Sequence, residues 1–168
     1  MHECAQATKT LGVDLVGGYF DGKVIKDVVY RISNRLSRPV HFPCLLVSEK
    51  AEALQFADLI TISSFRRAKP SLKKAREGLG IEFLLHPARK MNEEELAKWF
   101  AELREAHAFC ESSGCQFILS SGASFPFEMI SGESFDEILA ELGINSHRHW
   151  NVMEKWLSTT LAQKVIMK

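Results

Sequence analysis

Apolar runs of strand length alternate along this chain with segments of helical period, and that alternation limits the fold more than any other feature. Five stretches read as strands: Val13–Val16, Val40–Val47, Leu59–Ile62, Ile81–Leu85 and Phe117–Leu119. Most are apolar on both faces. A strand buried on both faces belongs to a parallel sheet covered by helices, not to an antiparallel sheet with one wet side.

The segments between them carry helix signals. Residues 24–36 place Ile25, Val28, Val29, Ile32 and Leu36 on one face. Lys69-Pro70 reads as a helix start with proline in the first turn, followed by Leu72, Ala75 and Leu79. Asn92 opens the clearest helix. Glu95 stands at the capping-box position, and Leu96, Phe100, Leu103, His107 and Cys110 follow at helical spacing. Gly114 ends it. A shorter helix spans 135–142 before Gly143, and a last one is expected over 150–165. The expected order is a helix, five βα units and a C-terminal helix. Such an order implies parallel strands joined by right-handed crossovers.

A chain of 168 residues fits one domain with one core. A closed eight-stranded barrel takes roughly 250 residues. The expected fold is therefore a single α/β domain over 1–168, either an incomplete barrel or an open doubly wound sheet. With 46% hydrophobic and 25% charged residues, disorder is a poor reading of any long stretch. The N-terminus is polar and the apolar runs are far shorter than a membrane span, so a cytoplasmic protein is expected. Cys4, Cys44, Cys110 and Cys115 contain no C-x-x-C pair and read as reduced thiols.

Function in parallel α/β folds gathers where strands end. Those ends carry Gly17-Gly18, Ser48, Ser63-Ser64 with Arg66-Arg67, His86 with Arg89-Lys90, and Ser120-Ser121-Gly122. Hydroxyls, glycines, a histidine and arginines are groups that bind phosphate, although serine and glycine also serve simply as turn residues.

The formal net charge is zero, but charge is segregated along the chain. Between Ile62 and Lys90 lie eight basic residues (Arg66, Arg67, Lys69, Lys73, Lys74, Arg76, Arg89, Lys90) and two acidic ones. From Met91 to Asn145 there are two basic and eleven acidic residues, and from Ser146 onward four basic and one acidic. A basic patch beside an acidic face suits a subunit that holds RNA on one side and protein on the other. The plainer alternative makes Lys73, Lys74 and Arg76 the wet face of an amphipathic helix.

Dinucleotide, P-loop and serine-hydrolase motifs are absent from the sequence. His147-Arg148-His149 reads as a surface turn ahead of the last helix. His86 ends a buried strand, and a lone histidine there is more often hydrogen-bonded structure than an acid–base catalyst. Trp99, Trp150 and Trp156 fit core packing or a protein interface better than base stacking.

Three elements together resemble a known family. They are the strand Asp58-Leu59-Ile60-Thr61-Ile62, the strand Gly80-Ile81-Glu82-Phe83 and the strand end Ser120-Ser121-Gly122-Ala123, with Leu142-Gly143-Ile144 closing a later helix. The chain resembles the archaeal ribonuclease P protein component 3, the family of the eukaryotic thirty-kilodalton ribonuclease P subunit. The resemblance runs from Asp58 to the C-terminus, with Ser120–Ala123 its most specific part.

The resemblance implies a TIM-barrel-like fold akin to metal-dependent phosphoesterases but without their metal ligands, here shortened. It implies an RNA-binding subunit that supports a catalytic RNA in removing the 5′ leader of precursor tRNA. The RNA, using Mg, would carry catalysis. The chain itself would bind no cofactor and would pair with another ribonuclease P protein. The expected contacts are Arg66, Arg67, Lys69, Lys73, Lys74, Arg76, His86, Arg89, Lys90, Ser120, Ser121 and Gly122, with no catalytic or metal-ligating residue. The rival is a small barrel phosphoesterase or isomerase that uses His86 and the serines on a phosphorylated substrate.

Overall fold

The computed structural model describes residues 16–19, 28–32 and 44–165. By contact the chain divides into two compact units, one formed by Ser48–Gly122 and the other by Met1–Val47 with Ala123–Lys168. The architecture is α/β and the strand pairing is parallel.

In the split unit, β1 (Val16–Tyr19), β2 (Val28–Ile32) and β3 (Cys44–Ser48) pair in parallel. The registers are Val16↔Val28 and Tyr30↔Cys44. Val29 and Tyr30 are buried, as are Cys44, Leu45, Leu46 and Val47 in succession. Burial of consecutive residues covers both faces, as parallel sheets require.

β2 corrects an expectation, because it falls inside the segment read as a helix over 24–36. Apolar residues at i, i+1 and i+4 fit a helix stripe and a fully buried strand equally well. Two facts favour the strand. Val28, Val29 and Ile32 are β-branched and stiff at χ1. Tyr30, off the helical stripe, is fully buried. The rest of that expected helix, the helix before the first strand, and residues 13–15 and 40–43 of two expected strands lie outside the described residues.

The continuous unit holds β4 (Leu59–Thr61), β5 (Gly80–Leu84) and β6 (Gln116–Ser120). They are parallel with β5 central, in the registers Thr61↔Glu82 and Glu82↔Ile118. Side chains alternate across a strand. Ile81, Phe83, Phe117 and Leu119 therefore share one face, and all four are buried. The Phe83 and Phe117 rings lie 5.7 Å apart. Thr61, Glu82, Gln116, Ile118 and Ser120 share the opposite face.

Two helices belong to this unit. α1 (Phe65–Leu72) starts earlier than Lys69-Pro70 suggested, Pro70 sits in its last turn, and the expected continuation through Ala75 and Leu79 is not helical. Packing decides the start: Phe65 is fully buried, with its ring 5.6 Å from that of Phe109. Proline so near the end forfeits little of the helical ladder, because few turns remain to be disrupted.

α2 (Glu93–Ser113) begins as read, with a complete capping box. Glu95 N donates to Asn92 Oδ1 at 3.0 Å, and Asn92 N donates to Glu95 Oε2 at 3.0 Å. Three glutamates in its first turn suit the positive end of the helix dipole. Leu103, Ala106 and Cys110 are its buried stripe, and His107 meets the Phe117 ring edge-on at 5.4 Å. Gly114 ends the helix in the left-handed region at φ 69°.

After Gly122 the chain forms a 3-10 turn at Pro126–Glu128, then α3 (Gly132–Glu141) and α4 (Ser146–Val165). Ser131 caps α3, and Ile144 N closes its other end on Leu139 O at 2.8 Å. α4 starts ahead of the expected Trp150, because Asn145 Oδ1 accepts from Arg148 N at 2.9 Å and caps it there. His147-Arg148-His149 is therefore the first turn of a helix, not a loop, and His149 is buried. Trp150 ties α4 to α3 by donating to Asp136 Oδ1 at 2.7 Å. Among the described residues, no helix is long and apolar enough to cross a membrane.

Candidate nucleic-acid interface

In the Ser48–Gly122 unit, the polar groups at the strand ends are largely spent on one another. Glu82, in the middle of the central strand, is 1% exposed. Burying a carboxylate is costly unless its oxygens are hydrogen-bonded. Thr61 Oγ1 donates to Glu82 Oε2 at 2.7 Å, and Ser120 Oγ donates to Glu82 Oε1. The three strands are thus stitched by one carboxylate and two hydroxyls, and the Ser120 proton points at Glu82.

The rest of the Ser120–Ala123 segment also has structural work. Leu85 N donates to Ser120 O at 2.8 Å and His86 N to Ser121 O at 3.0 Å, carrying the β5–β6 ladder past both strands. Gly122 has φ +67°, and a Cβ placed there would lie 3.1 Å from Leu84 Cβ and 3.3 Å from His86 Cβ. A positive φ and a close approach both call for glycine. The fold itself therefore calls for glycine at position 122. Beside it, Nδ1 of half-buried His86 is shut from solvent without a hydrogen-bond partner among the described residues.

Ser64 precedes α1 and offers its hydroxyl to Glu102 at 3.0 Å, while Phe65 N donates to the same carboxylate at 2.8 Å. The positive end of α1 is thus met by a side chain of α2. A phosphate there would have to displace a carboxylate, which weakens the case for an anion site at this helix end.

The cations separate into two groups. Arg76 turns inward, donating to Ala57 O at 2.8 Å and standing 3.6 Å from Asp58. Arg66 pairs with Glu105 at 3.2 Å, with both side chains well exposed. The others face outward. Lys69 lies over the Phe65 ring, its nitrogen 5.4 Å from the centroid. Arg67 on α1, Lys73 and Lys74 just past it, and Arg89 and Lys90 at the end of the 3-10 turn His86–Lys90 are exposed.

A cleft of about 510 Å³ opens between the ends of β4 and β5 and the helices behind them. Leu54, Ile60, Leu72, Phe83 and Met91 give it an apolar lining. Ser63, Ser64, Ser71 and Arg67 supply polar groups, and Trp99 completes the wall. Sequence reasoning picks Arg67 but not Trp99 as part of such a site. A tryptophan at the edge of a helical stripe gives no local sign that it faces a cleft. Glu82 also escapes it, although a carboxylate inside the apolar run Ile81–Leu85 is the sign that could have found it.

Both thiols near this region are held toward the neutral form. Burial pushes the Cys110 thiol far up, with Cys115 adding to the shift. Burial also raises Cys115, against smaller opposing effects of Ser113 and Arg76. Thiolate chemistry needs the opposite shift. Among the described residues no cluster of three or more histidine, cysteine, aspartate or glutamate side chains is arranged to hold a metal ion. No family model and no curated protein matches the chain.

Proposed function

We propose that the chain is an RNA-binding protein subunit of ribonuclease P, supporting the catalytic RNA in 5′-leader cleavage of precursor tRNA. The supporting observation is the placement of outward cations: Arg67, Lys69, Lys73 and Lys74 on and just after α1, and Arg89 and Lys90 on the turn after β5. An excess of exposed cations along one continuous stretch supplies the sequence-independent part of RNA affinity. Arg67 also lines the cleft whose wall includes Trp99, a pairing of charge and ring that suits an unstacked nucleotide. The same reading takes the parallel strands as part of a shortened TIM-barrel-like fold.

Ser120 and Gly122 hold the strand ends in place instead of binding phosphate, and Arg76 braces Asp58 and Ala57. In this reading RNA binding falls to the exposed side chains Arg66, Arg67, Lys69, Lys73, Lys74, Arg89 and Lys90, Arg66 being paired also with Glu105.

The test is purification of the tagged chain from cells that make it. A structured RNA should co-purify, and the complex should remove the 5′ leader from precursor tRNA. Recovery without RNA, or with RNA that leaves the precursor intact, would contradict the assignment. A second reading rests on His86 Nδ1, shut from solvent and unpartnered among the described residues. It makes the chain a small phosphoesterase, and would be supported by RNA-free protein that hydrolyses a phosphoester and loses this activity in the His86→Ala variant.

A further inference from the structure

Two phenylalanines of the other unit stand in solvent. Phe125 is 56% and Phe127 81% exposed, the largest exposures among the big apolar side chains described. Their rings are parallel, 1° apart in tilt with centroids at 5.5 Å. Exposing two aromatic rings side by side forfeits burial that each would gain in a core, and such pairs mark interaction sites.

The turn that carries them is held firmly. Glu128 Oε2 accepts from Ser124 N at 2.7 Å and from Phe125 N at 3.2 Å. Glu128 N closes on Phe125 O at 3.0 Å, and Met129 N on Pro126 O at 3.1 Å. Pro126 between the rings fixes its own φ. A pre-set aromatic pair loses little freedom on binding.

Charge selects the occupant. From Ala123 to Asn145 the chain has five acidic residues and no basic one. Of these, Glu133, Asp136, Glu137 and Glu141 are exposed. RNA would find stacking rings there but also repulsion, whereas a basic protein surface would find both features favourable.

We propose that the Phe125–Phe127 turn is the docking point for a protein partner presenting an apolar pocket rimmed by lysine or arginine. The proposal does not depend on the RNA reading, since it uses different residues and the opposite charge.

The test uses the full chain with a photoreactive benzophenone amino acid in place of Phe127, irradiated in the cells that make it. Cross-linked peptides are mapped by mass spectrometry. The expected product is a cross-link to another protein at apolar residues with excess lysine and arginine around them. Binding of that partner to the purified F125S/F127S chain should weaken about tenfold or more, as for aromatic hot spots. It should weaken similarly in E133K/E137K, which leaves the turn untouched. A cross-link to RNA, to this chain or a second copy of it, or to an acidic site would overturn the proposal. So would no cross-link, or a partner whose affinity ignores both double variants.

Discussion

The strand ends and the outer face of α1 belong to one unit and treat their polar groups in opposite ways. At the strand ends, Thr61 and Ser120 donate to Glu82, and Glu102 takes Ser64 and Phe65 N. The hydroxyls of Thr61, Ser64 and Ser120 are thus engaged within the fold. On α1 and the turn after it, Arg67, Lys73 and Lys74 point outward and meet solvent. Strand-end hydroxyls thus serve the fold, whereas charge is displayed on α1 and the turn after it.

If that contrast is right, changing the strand ends costs stability, and changing the helix face costs RNA affinity. The largest stability loss is expected for Glu82→Ala. It leaves two hydroxyls without their acceptor beside a new void, a cost of about 2–4 kcal/mol. Glu82→Gln keeps the volume and should cost about half as much. Urea unfolding measures both, and RNA affinity of the folded fraction should stay unchanged.

Gly122→Ala comes next, at about 1–2 kcal/mol, because the added Cβ meets Leu84 and His86 at a positive φ. Urea unfolding should place Gly122→Ala below Glu82→Ala and level with Glu82→Gln.

A smaller effect concerns pH. The folded-state pKa of the Cys110 thiol is raised above its ordinary value of 9.0 by burial. Below pH 9 the thiol is neutral in both states and its contribution to stability is intact. Above that, only the unfolded chain releases the proton, so stability falls as pH rises. Cys110→Ala should flatten this alkaline slope in melts taken between pH 8 and about 10.5.

The smallest effect is expected for Glu105→Ala. It breaks an exposed pair worth roughly 0–1 kcal/mol, so the melting temperature should barely move. Freed Arg66 should then bind RNA slightly tighter at low salt.

What can be read from the sequence follows the range of each interaction. β4, β5, β6 and α2 are legible because their signals are local: apolar runs, the Asn92–Glu95 box and Gly114. β2 is not, since Val28, Val29 and Ile32 satisfy two periods and only burial of Tyr30 separates them. The start of α1 depends on Phe65 meeting Phe109, a residue far along the chain. The start of α4 has a local sign, Asn145, that the neighbouring histidines obscure.

The candidate site divides in the same way. The run of cations from Arg66 to Lys90 is plain to read. Which of them turn inward is not, because Arg76 is claimed by Asp58 and Arg66 by Glu105 across long stretches of chain. The partner of Ser120 is hidden for the same reason, Glu82 lying 38 residues earlier.

The central claim is that outward cations on and beside α1 bind RNA while strand-end hydroxyls do not. The direct measurement is the salt dependence of binding between the full chain and the RNA that co-purifies with it. The comparison is wild type against Arg67→Glu with Lys73→Glu and Lys74→Glu. Each phosphate that a variant no longer neutralises should lower the steepness of log K against log salt by roughly 0.7–0.9. The triple variant should therefore drop about two units of slope and bind far more weakly at low salt, while Ser120→Ala keeps the wild-type slope. An unchanged slope in the triple variant, or a loss confined to Ser120→Ala, would contradict the account.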